Sequence, residues 1–101
     1  MKRELIVVIV DKHKDEEVMQ VAKAAGATGG TIIHGKGTSI YENKKFFGIE
    51  IEPEKEVILI IVNSNLVDKI VNAINQELKL EDPNSGILFT VDLNKVIGLR
   101  D

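Results

Sequence analysis

Apolar positions in this chain fall into two kinds of run. Leu5-Ile6-Val7-Val8-Ile9-Val10 and Val57-Ile58-Leu59-Ile60-Ile61-Val62 are short, unbroken and rich in β-branched residues. Such runs predict strands with both faces apolar. Other apolar residues recur with a helical period. Val18, Ala22 and Ala25 share one helix face with Met19 and Val21, while Glu16, Glu17 and Lys23 face outward. Asp15 to Glu17 suit the N-terminus of that helix, and Gly26 stands where a glycine ends one. Leu66, Ile70, Ile74 and Leu78, widened by Val67 and Val71, predict a second helix. Asn63, Ser64 and Asn65 offer it N-caps, and Asp68 follows Asn65 at capping-box spacing. Thr31-Ile32-Ile33, bounded by Gly30 and Gly35, predicts a further strand. Gly86–Val91 predicts the last main one. Val96-Ile97-Gly98-Leu99 reads as a short edge segment.

The connections are polar. Gly35–Lys45 reads as a loop. Phe47, Ile49 and Ile51 alternate with Gly48, Glu50 and Glu52, the pattern of a short strand or extended arm with one wet face. Pro53-Glu54-Lys55-Glu56 reads as a turn, and Glu81–Gly86 as a loop. The order β-α-β-(loop)-β-α-β predicts one α+β domain over residues 1–101. The expected arrangement is a ferredoxin-like split β-α-β, with helices on one face of an antiparallel sheet. The strands lack polar alternation, so the other sheet face is apolar too. A second copy of the chain is its natural cover, which predicts a homo-oligomer.

Composition narrows the function. The chain has 101 residues, 44% of them hydrophobic and 29% charged, as in a globular fold. With 13 basic against 16 acidic residues and 4% aromatics, it has neither the charge nor the stacking platforms that nucleic acid requires. No cysteine is present, so disulfides and thiolate zinc sites are excluded. Neither apolar run approaches the ~20 residues of a membrane span. A cytoplasmic location without direct membrane insertion is expected.

The densest chemistry lies in Gly26-Ala27-Thr28-Gly29-Gly30-Thr31 and in His34-Gly35-Lys36-Gly37-Thr38-Ser39. Glycines admit a ligand to backbone N–H groups, and Thr and Lys are donors suited to phosphate. The segment has neither a Walker A ending nor a dinucleotide-binding fingerprint, and the same residues also suit a helix stop and tight turn. His34 lacks ligands at metal spacing, and His13 lies in a charged turn. A triad of Ser39, His34 and an Asp has no elbow motif behind it. Glu50, Glu52, Glu54 and Glu56 read as a solvated strand face and turn. Lys44, Lys45 and Arg100 are scattered cations. No catalytic residue is assigned, and an enzyme is not expected.

Several blocks, in order, resemble one family. Gly26–Thr31 running into Ile32-Ile33-His34-Gly35-Lys36-Gly37 is followed by Phe46-Phe47-Gly48-Ile49, by Glu54–Val62, and by Gly86-Ile87-Leu88-Phe89 leading to Val96–Leu99. Together they resemble the P-II nitrogen-regulatory proteins, in particular their compact P-II-like branch. The resemblance implies a homotrimer with the open sheet face inside. It implies adenine-nucleotide binding (AMP, ADP or ATP) in clefts between subunits. It also implies a T-loop, from about Ser39 to Glu52, that reports the ligand to a membrane transporter or metabolic enzyme.

Carried over by position, the nucleotide-binding residues are Thr31, Gly37, Thr38, Ser39, Ile61, Gly86 and Arg100. The partner-binding loop carries Ile40, Tyr41, Lys44, Lys45 and Phe46. The chain also departs from the family. Ile87 replaces a phosphate-binding lysine, Gly98 an arginine and Ser39 a glycine. Ile40 and Tyr41 replace an arginine and the glutamine tied to magnesium and 2-oxoglutarate. Each lost charge-assisted contact costs about 1.5–3 kcal/mol. These departures argue against ATP with magnesium and 2-oxoglutarate. The alternatives are an effector-independent interaction module of the same fold and, behind it, a small enzyme.

Overall fold

The computed structural model describes residues 2–37, 44–46, 49–51, 53–83 and 85–99. The elements run β1 (Arg3–Asp11), α1 (Asp15–Ala24), β2 (Thr31–Lys36), β3 (Lys44–Phe46), β4 (Ile49–Ile51), β5 (Glu54–Asn63), α2 (Ser64–Leu78) and β6 (Ile87–Leu93). β2, β5, β1 and β6 form one sheet in that order, and each neighbouring pair is antiparallel. This is the ferredoxin-like arrangement, with β1 and β5 central. β3 and β4 pair with each other as a small separate ribbon, Lys44 opposite Ile51 and Phe46 opposite Ile49.

Strand parity divides the sheet into two faces. Ile6, Val8 and Val10 of β1 and Ile58, Ile60 and Val62 of β5 point towards the helices and are buried. They meet Val18 and Ala22 of α1 and Val67, Ile70 and Ile74 of α2. The alternate residues form the other face. Leu5, Val7 and Ile9 lie opposite Ile61, Leu59 and Val57 on one side, and opposite Val91, Phe89 and Ile87 on the other. Neither helix packs on this face, where only the central Val7 is buried among its strand neighbours. Phe89 is 44% and Ile87 60% exposed. Breadth and continuity of this order mark an interaction surface.

Four local expectations are corrected. Glu54 to Glu56 are strand, because Lys55 and Glu56 pair with β1 on one side and with β2 on the other. Gly35–Lys45 is not all loop, since Gly35 and Lys36 extend β2 and Lys44 begins β3. The Asn65–Asp68 capping box does not form. α2 starts two residues earlier, with Asn63 as its cap, and Asn63 makes no side-chain capping bond. Its Oδ1 instead accepts from Arg3 Nε at 3.3 Å. Residues 94–99 form no edge strand, and they bend at Gly98, whose φ is +94°.

Candidate functional site

Anticipated ligand residues gather at the two opposite ends of the sheet. The first end holds the C-terminus of β1, the start of β5 and the end of β2. Here the Gly37 amide donates to the Pro53 carbonyl at 3.2 Å, which closes the root of the chain entering residues 38–43. A cavity of about 320 Å³ lies beside it, lined by Lys12, His34, Gly35, Lys36, Glu54 and Lys55. Lys12 Nζ reaches Glu54 at 2.7 Å and Lys55 Nζ reaches Asp11 at 2.6 Å. Hydrogen bonding to Lys12 holds the Glu54 carboxyl below its ordinary range, and the same bond holds Lys12 above its own. Gly86 lies across the sheet at this end, preceding β6. Its φ is +131°, and a Cβ there would sit 2.8 Å from the Ile9 carbonyl oxygen.

At the second end lie the start of β1, the end of β5 and the start of β2. Thr31 opens β2 opposite Leu59, and it is exposed. The β2 ladder stops there, so among the described residues positions 60–63 of β5 have no strand partner on that side. Free strand edges present backbone donors and acceptors. A smaller cavity of about 110 Å³ occupies the gap, lined by Arg3, Gly26, Thr28, Ile61, Val62, Asn63, Leu66 and Leu99. Gly26 opens this gap because α1 ends beneath it: φ at Gly26 is +119°, a conformation that lets the chain turn away from the helix.

Thr31 and Ile61 are thus neighbours, and Leu99 comes to the same end. Gly37 and Gly86 belong to the other. Six residue steps separate Thr31 from Gly37, about 20 Å at 3.3 Å per residue. Thr38, Ser39, Ile40, Tyr41 and Arg100 lie outside the described residues, as do Phe47, Gly48 and Glu52. Lys44, Lys45 and Phe46 form β3.

Glu56 overturns its expectation of a solvated strand face: it is 3% exposed. Its Oε1 accepts from the backbone amides of His13 at 2.9 Å and Asp15 at 3.1 Å. Its Oε2 lies 3.5 Å from His34 Nδ1. Parity carried the signal, since Glu56 is in step with Ile58, Ile60 and Val62 on the helix-facing side of β5. Asn63, Thr28 and Leu66 were not anticipated as cavity residues either. No sequence motif marks them, because the cavity arises where β2 ends short of β5. Among the described residues no group of His, Asp and Glu could hold a metal.

The sequence profile of the nitrogen regulatory protein P-II family matches residues 3–101. The chain belongs to the P-II family. Nitrogen regulatory protein P-II 2 of Methanothermobacter thermautotrophicus is 31% identical to it over an alignment of 101 positions that covers 94% of this chain and 87% of that one. Two solved P-II structures share the fold. The B. subtilis GlnK–ATP complex has a TM-score of 0.66 at 20% identity, covering 91% of this chain and 82% of that one. Arabidopsis thaliana PII bound to citrate has a TM-score of 0.71 at 20% identity, covering 91% and 78%. P-II proteins are signalling regulators rather than enzymes, and this chain is a regulator of that family. No helix among the described residues is long and apolar enough to cross a membrane.

Proposed function

We propose that this P-II chain acts as a cytoplasmic homotrimer that binds an adenine nucleotide in the clefts between its subunits. The bound nucleotide then biases the loop from about Ser39 to Glu52, which engages or releases a transporter or metabolic enzyme.

One observation carries this reading. The two sets of anticipated ligand residues lie at opposite ends of one sheet, about 20 Å apart along the strands. A small ligand touching both must therefore lie between two chains, with Gly37 and Gly86 from one and Thr31, Ile61 and the segment after Leu99 from its neighbour. The uncovered apolar face supplies the reason for chains to associate. The free edge of β5 at residues 60–63 offers backbone groups to a base. ATP is bound by a structural relative of this fold.

Ile87 bears on which nucleotide binds. It lies opposite Ile9 on the open face, where it extends the apolar surface and brings no charge to a phosphate. AMP or ADP should therefore bind better than ATP. Titration calorimetry with AMP, ADP, ATP and a cyclic nucleotide tests this. The expected result is one site per chain, with the triphosphate not the tightest. If none of them binds, the nucleotide part of the reading fails and the effector-independent module stands. Signalling through the loop also requires unequal nucleotide affinity for its two states. A pull-down with the loop shortened should lose the partner.

A further inference from the structure

We propose that Glu56 is a positioning residue for the loop-end half of the cleft. With a single carboxylate it fixes both the turn that begins α1 and the His34 that precedes the loop root. The inference rests on the nucleotide reading for its importance, but the contact itself can be tested without a nucleotide.

Among the described residues, Glu56 is the one buried charged residue. A carboxylate so placed must be compensated by donors. Two come from the β1–α1 turn, the amides of His13 and Asp15. α1 makes no side-chain cap of its own: Lys14 is its N-cap residue and provides none. Glu56 therefore caps α1 from another element, and its charge also suits the positive end of the helix. His13 is held at a φ of +79°, unusual for a residue other than glycine. Such a turn persists when its surroundings over-determine it, and the bond to Glu56 is one such restraint.

The other oxygen faces β2. His34 lies directly opposite Glu56 in the ladder, and its ring nitrogen approaches Oε2. Gly35, Lys36 and Gly37 follow His34 at once. Gly35 lacks a side chain, and nothing lies within 4 Å of where its Cβ would be. The chain at the loop root is therefore tied down by the ladder, by the Gly37–Pro53 bond and by the His34–Glu56 contact. The last of these joins the root to α1. His34 is 71% exposed, so its value lies in direction and not in burial.

Amide hydrogen exchange at Gly35–Gly37, read beside the urea midpoint, separates positioning from simple capping. The full-length variants are His34→Ala, Glu56→Gln and the two combined. His34→Ala should leave the midpoint unchanged and speed exchange at Gly35–Gly37 about two- to fivefold, the range of a cross-strand side-chain pair. Glu56→Gln should speed the same amides and also lower the midpoint. The double variant should exchange no faster than Glu56→Gln alone. Unaltered exchange in His34→Ala, or additive effects in the double variant, would reduce Glu56 to a helix cap and overturn the proposal. Should Glu56→Gln fail to fold, His34→Ala alone decides. ADP titration of the same proteins should show affinity falling by a similar factor. If the unsubstituted protein binds no nucleotide, the functional reading fails, while the exchange result still decides the role of Glu56.

Discussion

Three residues illustrate how one side chain, or its lack, sets the behaviour of a whole end of this sheet. Gly86 combines a left-handed φ with a site too tight for a Cβ. Gly86→Ala should destabilise the fold by about 1–3 kcal/mol, read as a lower urea midpoint. The glycine was legible as a candidate, but its tightness was not, since that depends on the Ile9 carbonyl from a distant strand. The Lys12–Glu54 pair makes a second prediction. Glu54 titrates below its ordinary range, so its contribution is complete above that range and is lost as pH falls through it. Lys12 titrates above its ordinary range, so its part is present at neutral pH and is lost only in strong alkali. Lys12→Ala should therefore differ from the unsubstituted protein at neutral pH and match it near pH 2, below the carboxylate range of about 4. Both groups are exposed, so salt should shrink the difference. A difference that persists at acid pH would assign the effect to packing of the lysine stem.

Elements were legible wherever their period was strong. Continuous β-branched runs gave β1 and the centre of β5, and the helical repeat gave α1 and α2. Boundaries failed where polar residues obey tertiary contacts. Glu54-Lys55-Glu56 looks like a turn by composition, yet each side chain finds an opposite charge or a backbone amide and the strand continues. The stripe of α2 also turns slightly from its expected line, burying Val67, Ile70 and Ile74 while Leu66 turns towards the second cavity. The missing capping box can be checked directly. Asn65→Ala should change stability by no more than about 0.5 kcal/mol. A loss near 1 kcal/mol, typical of a working N-cap, would restore the box.

At the scale of the molecule, the same sequence fact bears on both the proposed assembly and the proposed function. Unbroken apolar strands need cover on two sides, and α1 and α2 supply only one. The open face was legible from the lack of polar alternation. That the anticipated ligand residues lie at opposite ends of the sheet was not, because Gly37 and Thr31 are close in sequence and the extended β2 holds them apart. On the proposed reading, the loop-end cavity and the gap beside β5 are the two halves of a cleft that neighbouring chains complete. Association and ligand binding should therefore fail together. Phe89 lies on the open face and is solvent-exposed in the single chain, so Phe89→Asp should keep the protomer folded while preventing assembly. The decisive measurement is ADP calorimetry on this variant and on the unsubstituted protein, with mass by light scattering. The account predicts a trimer that binds one ADP per chain, and a folded Phe89→Asp monomer that binds none. A monomer binding ADP as tightly as the trimer would contradict it.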